Sequence, residues 1–269
     1  MAAASSVPIH PIEASALQAR RERVFLLLAG LFIGAMAMLN VIGITRFIRI
    51  GPLSLAVGVL PYPLTFLCTD LISELYGRRR ASGVVWVGLA VNLLIIGTIA
   101  LGHFLPSVAV AQQPPWQVLP LAEPVFLPDG TQLEGQGELF HLIYACTAGA
   151  VVASMVAYLV AQLVDVYVFH FWKRLTKGKH LWLRNNGSTM VSQLVDSLVV
   201  VGLTFGAAFL RGEQTVASMA VLVRDNYAFK FAAALLDTLP FYLGVRYLSR
   251  YLAIDPSVEV SERPVEAST

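Results

Sequence analysis

The chain has 269 residues, 57% of them hydrophobic and only 13% charged, and its formal net charge is +2. A water-soluble domain is about 45–50% apolar and about 25% charged, so this chain lacks the polar surface to cover itself in water. Disordered, collagenous and disulfide-scaffold classes are excluded, and the charge is too small for a nucleic-acid partner; what remains is a single unit embedded in a lipid bilayer.

Residues 1–23 are small, polar and Pro-containing and read as a flexible cytoplasmic tail, closing on the basic cluster Arg20, Arg21 and Arg23. The charge-free run Val24 to Ile44 has 21 residues, close to the ~20 that a helix needs to cross ~30 Å of hydrocarbon. It exceeds a signal-peptide core of ~7–15 residues and reads as a retained helix. Five more spans are expected: Leu53 to Leu75, interrupted by Pro61 and Pro63; Ala81 to His103; Leu139 to Phe171; Gly187 to Leu210; and Asn226 to Val245. The spans make residues 24–250 one six-helix, all-α integral membrane domain, with a cytoplasmic tail over 251–269.

Basic residues set the orientation. With a cytoplasmic N-terminus, six spans place fourteen Lys and Arg inside, among them Arg78, Arg79, Arg80, Lys173, Arg174, Lys177, Lys179 and Arg184, and four outside, Arg46, Arg49, Arg211 and Arg224. That asymmetry is the positive-inside bias. Both termini are then cytoplasmic. The long outer connection, residues 104–138, holds six prolines, four acids and no Lys or Arg, with a turn signal at Pro128-Asp129-Gly130. A connection of this length is either a lid or an unstructured surface.

Small residues recur every four positions in the fourth span, at Ala145, Gly149, Ala153, Ala157 and Ala161, and in the first at Gly30 and Gly34. Such smooth stripes let a second backbone approach, either within the chain or from another copy in a homo-oligomer. Cys68 and Cys146 sit in apolar runs and read as small hydrophobes. No HExxH, GxSxG, P-loop or CxxC pattern is present, so an enzyme reading has no nucleophile, metal or nucleotide site, and no cofactor is implied.

The informative residues are the charges within the spans. An ionisable group near the bilayer centre costs at least ~2.5–3.5 kcal/mol and usually faces a cavity or a partner. There are five such acids, Asp70, Glu74, Asp165, Asp196 and Asp237, and one base, Lys230. Asp70 and Glu74 are four apart and share a helix face; so do Thr189, Gln193 and Asp196, and so do Tyr227, Lys230, Ala234, Asp237 and Phe241. One base cannot neutralise five acids, so the remainder face water, carry protons or meet donors on a ligand. Structural alternatives are a Glu74–Arg78 bridge, an Asp165 pair with Lys173 or Arg174, and an Asp196–Lys230–Asp237 group that only joins helices. Asn40, Asn92 and His103 read as packing polar groups, and Asn185, Asn186 and Ser188 as helix caps.

The segment PYPLTFLCTDLISELYGRRRA resembles the signature of the queuosine precursor transporters, formerly grouped as vitamin uptake proteins. ASMVAYLVAQLVDVYVF, RNNGSTMVSQLVDSLVV and YAFKFAAALLDTLPFY resemble further motifs of that family, in the same order, and the likeness covers about residues 24–250. The resemblance implies a bacterial inner-membrane protein, similar in architecture to the substrate-binding subunits of energy-coupling-factor transporters. Its substrates would be the 7-deazapurines 7-cyano-7-deazaguanine and 7-aminomethyl-7-deazaguanine, salvaged for the tRNA base queuosine. The motif positions are Asp70, Glu74, Asp165, Asn186, Gln193, Asp196, Lys230 and Asp237. A deazaguanine offers N1–H and a 2-amino group side by side, matching one carboxylate; Asp70 and Asp196 are assigned to that edge, Lys230, Gln193 and Asn186 to the carbonyl, and Glu74 and Asp237 to a cationic substituent or a coupling proton, with Asp165 structural or coupling. A substrate-capturing subunit driven by a separate ATPase is the alternative.

Overall fold

In a computed structural model that describes residues 11–109, 112–127, 130–175 and 181–254, five of the six apolar runs become long helices and one does not. The helices are α1 (Pro11–Val41), α2 (Tyr62–Tyr76), α3 (Arg78–Phe104), α4 (Leu139–Leu175), α5 (Leu181–Leu210) and α6 (Val216–Leu252). All but α2 contain a stretch long and apolar enough to cross a membrane. Their outward faces carry Leu26, Trp86, Leu94, Leu236 and Leu239, each more than 60% exposed. Apolar surface on that scale belongs against lipid rather than water. The fold is therefore that of an all-α membrane protein, with small strands confined to its connections.

The exception is the second run. Residues Phe47–Ile50 (β1) and Leu53–Ala56 (β2) form an antiparallel hairpin with Arg49 opposite Ser54, and a 3-10 turn, Val57–Val59, follows. Prolines explain the boundary: inside a helix each would remove a donor and clash with the preceding turn, whereas the first turn tolerates them. The helix accordingly begins at Tyr62, between Pro61 and Pro63, and its 15 residues span about 22 Å at ~1.5 Å per residue. Gly58 lets the hairpin sit down on α1: a Cβ there would lie 2.8 Å from both Gly43 Cα and the Leu39 carbonyl. At its other end α2 stops at Gly77, whose φ of +86° an L side chain rarely adopts, and α3 starts at once.

Both ends of the bundle are tied by polar contacts. At one end Arg80 of α3 pairs with Glu22 of α1 at 3.1 Å, and the Tyr76 hydroxyl of α2 donates to the Arg21 carbonyl at 2.9 Å. There Arg21 also donates to the Leu252 and Ala253 carbonyls at 2.9 and 2.7 Å, closing the last turn of α6. Ala253, at φ 48°, holds a left-handed position usually given to glycine, and the arginine bonds offset that strain. At the opposite end the hairpin, the Gly43–Gly58 contact and the Thr147–Val41 hydrogen bond gather the other termini. Between them, α1, α2 and α3 pack Leu28, Phe32, Cys68, Leu71, Ile72 and Val84 into a buried core.

Other details depart from the sequence reading. Described residues from Pro11 onward, within the segment read as a tail, are already helical. The α6 helix starts ten residues early, at Val216, behind a capping box in which Thr215 and Ser218 exchange backbone-to-side-chain bonds. The fifth helix begins at Leu181, so Asn185 and Asn186 fall inside it rather than at its cap. The long connection between α3 and α4 is a nested hairpin: Val118–Pro120 (β3) pairs with Gln136–Glu138 (β6), and Val125–Phe126 (β4) with Gln132–Leu133 (β5). Of its expected turn only Gly130, at φ +89°, lies among the described residues. The small stripe on α4 is mostly consumed inside the chain, with Ala145, Ala153, Ala157 and Ala161 all buried. Gly30 and Gly34, by contrast, have nothing close by.

Candidate functional site

Asp196 on α5 and Lys230 on α6 meet in an ion pair between the Lys230 Nζ and Asp196 Oδ2, with only 4% and 13% of their side chains exposed. Helical spacing had put each on a polar face, and the two faces meet along the α5–α6 contact. Gln193, one turn before Asp196, joins them through a residue that sequence reasoning misses, Tyr62. The Tyr62 hydroxyl lies 3.3 Å from Gln193 Oε1 and 3.5 Å from Asp196 Oδ2, and its ring covers the lysine, with Nζ 4.7 Å from the centroid. Phe66, one turn on, meets that ring edge-on at 4.6 Å. Three helices thus converge on one charged pair. The signal that could have found Tyr62 is its position as the one polar-tipped side chain between two prolines at the head of an apolar helix.

A cleft of about 30 Å³ opens beside the pair, lined by Thr189, Met190, Gln193, Tyr227, Lys230, Phe231, Ala234 and Leu235. It is enough for a water molecule and too small for a fused-ring ligand. Chemically, the cluster offers carboxylate and amide oxygens as acceptors and an ammonium and an amide N–H₂ as donors, within an apolar surround where unpaired polar groups are costly. It is suited to a flat ligand with donors and acceptors side by side. Among the described residues no group of three or more His, Cys, Asp or Glu could hold a metal.

Asp70 on α2 and Asp237 on α6 lie apart from this cluster: Asp70 is exposed, and Asp237 Oδ2 is buried with no hydrogen-bond partner among the described residues. Along their helices they lie eight residues past Tyr62 and seven past Lys230, about 12 and 10 Å toward the Glu22–Arg80 end. The structure does not bring Asp70 to Asp196. Pro240, inside α6 one turn after Asp237, leaves the Leu236 carbonyl without its helical donor. Glu74 is exposed. Asp165 and Asn186 lie on α4 and α5, but their side chains are outside the described residues, as is that of Arg78, the partner suggested for Glu74.

Polar residues read as packing groups do find partners. Asn40 donates to Asn92 at 3.0 Å, joining α1 to α3, and both are 2% exposed. His103 stacks on Tyr144 and its Nδ1 lies 3.3 Å from His141 Nδ1, where α3 and α4 flank the long connection between them. Asp225, one residue before the expected start of the sixth span, is 1% exposed; it accepts from the Ser54 backbone N–H at 2.8 Å and pairs with Arg224 at 2.7 Å, pinning the β1–β2 hairpin to α6.

Comparison with known proteins adds three findings. A family model described as "Putative vitamin uptake transporter" matches residues 56–244. The chain is 26% identical over 163 residues to the "Probable queuosine precursor transporter" of Bacillus subtilis (strain 168), covering 60% of this chain and 61% of that protein. It is 27% identical over 188 residues to the "Queuosine precursor transporter" of Escherichia coli (strain K12), covering 69% of this chain and 70% of that one. No solved structure matches significantly. The three descriptions are of transporters, none of an enzyme.

Proposed function

We propose a transport function for this chain, which belongs to the family described as "Putative vitamin uptake transporter": it imports the queuosine precursors 7-cyano-7-deazaguanine and 7-aminomethyl-7-deazaguanine. The observation that carries the reading is the Asp196–Lys230 pair with Gln193 and Tyr62, a buried set of paired donors and acceptors shared by α2, α5 and α6. The names of the two relatives supply the substrate class. On this reading a deazaguanine lays its N1–H and 2-amino group on Asp196 and its carbonyl against Lys230 and the Gln193 amide. A site built to pair donors leaves its own groups buried and unpaired when the donor is missing, so adenine, with an acceptor at that position, is rejected. Asp70, Asp237 and Glu74 line the route onward and take the cationic substituent or a proton, and Asp165 and Asn186 contribute at the cytoplasmic side.

The architecture proposed is six crossings over residues 24–250 in a bacterial inner membrane, with both termini cytoplasmic, resembling the substrate-binding subunits of energy-coupling-factor transporters. Two features support six rather than five. The α2 helix begins at the Gly43–Gly58 contact and ends beside the Glu22–Arg80 bridge, at opposite ends of α1. The start of α1 and the end of α6 are bonded together through Arg21, so the chain returns to the side it began on. Queuosine in tRNA from cells that depend on added 7-cyano-7-deazaguanine tests the function. Asp196→Asn and Lys230→Ala should abolish the rise in tRNA queuosine at normal membrane expression, and wild-type levels in both would refute the site.

A further inference from the structure

We infer that Tyr62 is a built-in occupant of the substrate site: its phenol holds the nucleobase's place over Lys230 and Asp196 and swings out when the base enters. The inference rests on the functional reading above and adds to it a gating residue at the mouth of the site. Three observations carry it. The ring covers the Lys230 ammonium at 4.7 Å, a cation–π contact that fills the space a flat ligand needs in order to reach the ammonium. The hydroxyl reaches Gln193 Oε1 and Asp196 Oδ2 at 3.3 and 3.5 Å, so it stands as an O–H donor at the carboxylate that ring N–H and amino donors would take. The adjoining cleft, about 30 Å³ and lined by α5 and α6 residues that include Gln193 and Lys230, is by itself too small for a fused ring, so a base must also take the space over the pair that the phenol fills.

The need for such an occupant follows from the pair itself. A buried ion pair is tolerated only when further hydrogen bonds satisfy its remaining groups. In the empty state Tyr62 supplies one of those bonds and shields the ammonium. Substrate then replaces the O–H donor with its own N–H donors and the ring's cover of the ammonium with its carbonyl, so displacement is close to balanced for a flat ligand with both and unfavourable for a ligand lacking either. The position fits a gate. Tyr62 opens α2, directly after the hairpin and 3-10 turn, on the side of the pair from which an imported solute arrives in the proposed orientation. Phe66 lies edge-on to the ring and marks the direction that it cannot take on leaving.

Two measurements test this. In a Cys68→Ala, Cys146→Ala background, a Gln193→Cys reporter stands at the position whose oxygen the phenol reaches, and its modification by a methanethiosulfonate reagent reads access from outside. Adding Tyr62→Ala should speed modification more than tenfold, and an unchanged rate overturns the gate. With Gln193 intact, Tyr62→Phe keeps the ring and removes only the competing donor. Binding of 7-cyano-7-deazaguanine should tighten roughly two- to tenfold, the scale of one neutral hydrogen bond, and equal or weaker binding overturns the placeholder role. The alkylation arm uses no substrate. A wild-type protein that binds no deazaguanine therefore refutes the functional reading, while the Tyr62 gate is decided by the reporter.

Discussion

Substituting methionine for Lys230 would leave the Asp196 carboxylate in a site where only 13% of its side chain is exposed, with the Tyr62 hydroxyl 3.5 Å away as its remaining close donor from α2. Removing one partner of a buried pair costs about 3–5 kcal/mol, because the other charge stays uncompensated. That corresponds to roughly a 10²- to 10³·⁵-fold shift in the folding equilibrium. Replacing both partners with apolar groups of similar volume is by contrast about neutral, or stabilising by ~1–4 kcal/mol. Lys230→Met alone should therefore lower the thermal unfolding midpoint in detergent sharply, and Lys230→Met with Asp196→Leu should restore it. Neither variant should bind deazaguanine, since both lack the carboxylate–ammonium pair in working form. Heating in a Cys146→Ala background with a thiol-reactive dye that reports Cys68, which is 1% exposed, gives the midpoint, and ligand binding is measured on the same preparation. A double variant as unstable as the single one would refute the charge-burial argument. A double variant that still binds substrate would refute the site.

Three further outcomes follow from contacts elsewhere in the bundle. Asn40→Leu strands the Asn92 amide between α1 and α3 and should cost ~1–2 kcal/mol, recovered in Asn40→Leu with Asn92→Leu, as read by the same melting assay. Asp225→Ala removes the acceptor for the Ser54 N–H; hydrogen exchange over residues 47–56 should accelerate at least tenfold, and unchanged exchange would show that the hairpin is held by other means. Arg21→Ala frees the Leu252 and Ala253 carbonyls and should cost ~1.5–3 kcal/mol, the range for hydrogen bonds from charged donors, with earlier proteolysis at the end of α6 as its signature.

Much of the site was legible because lipid cannot accommodate a charge. Within apolar runs, Asp196 and Lys230 announce themselves, and a period of 3.6 residues puts Gln193 and Tyr227 beside them. Which acid meets the lysine was not legible. Five acids and one base admit several pairings, and the choice depends on how α5 rotates against α6, which side-chain packing between the helices decides. Asp70 illustrates this: it has the same chemistry as Asp196, yet the rise along α2 carries it about 12 Å past Tyr62 and away from the lysine. The misread stretch is Leu53 to Leu60. Over eight residues an apolar strand and an apolar helix look alike in hydropathy, and Pro61 and Pro63 were the better guide to where the helix could begin. Tyr62 went unmarked because a tyrosine among apolar residues is ordinary; its partners come from α5 and α6, some 130 and 170 positions away in sequence.

Calorimetry on the purified chain in lipid nanodiscs, with 7-cyano-7-deazaguanine and adenine as paired ligands, tests the central claim most directly. The account predicts saturable 1:1 binding of the deazaguanine, at least 10³-fold weaker binding of adenine, and loss of deazaguanine binding in Asp196→Asn. Equal binding of the two bases, or an Asp196→Asn variant that binds deazaguanine as the wild type does, would contradict it.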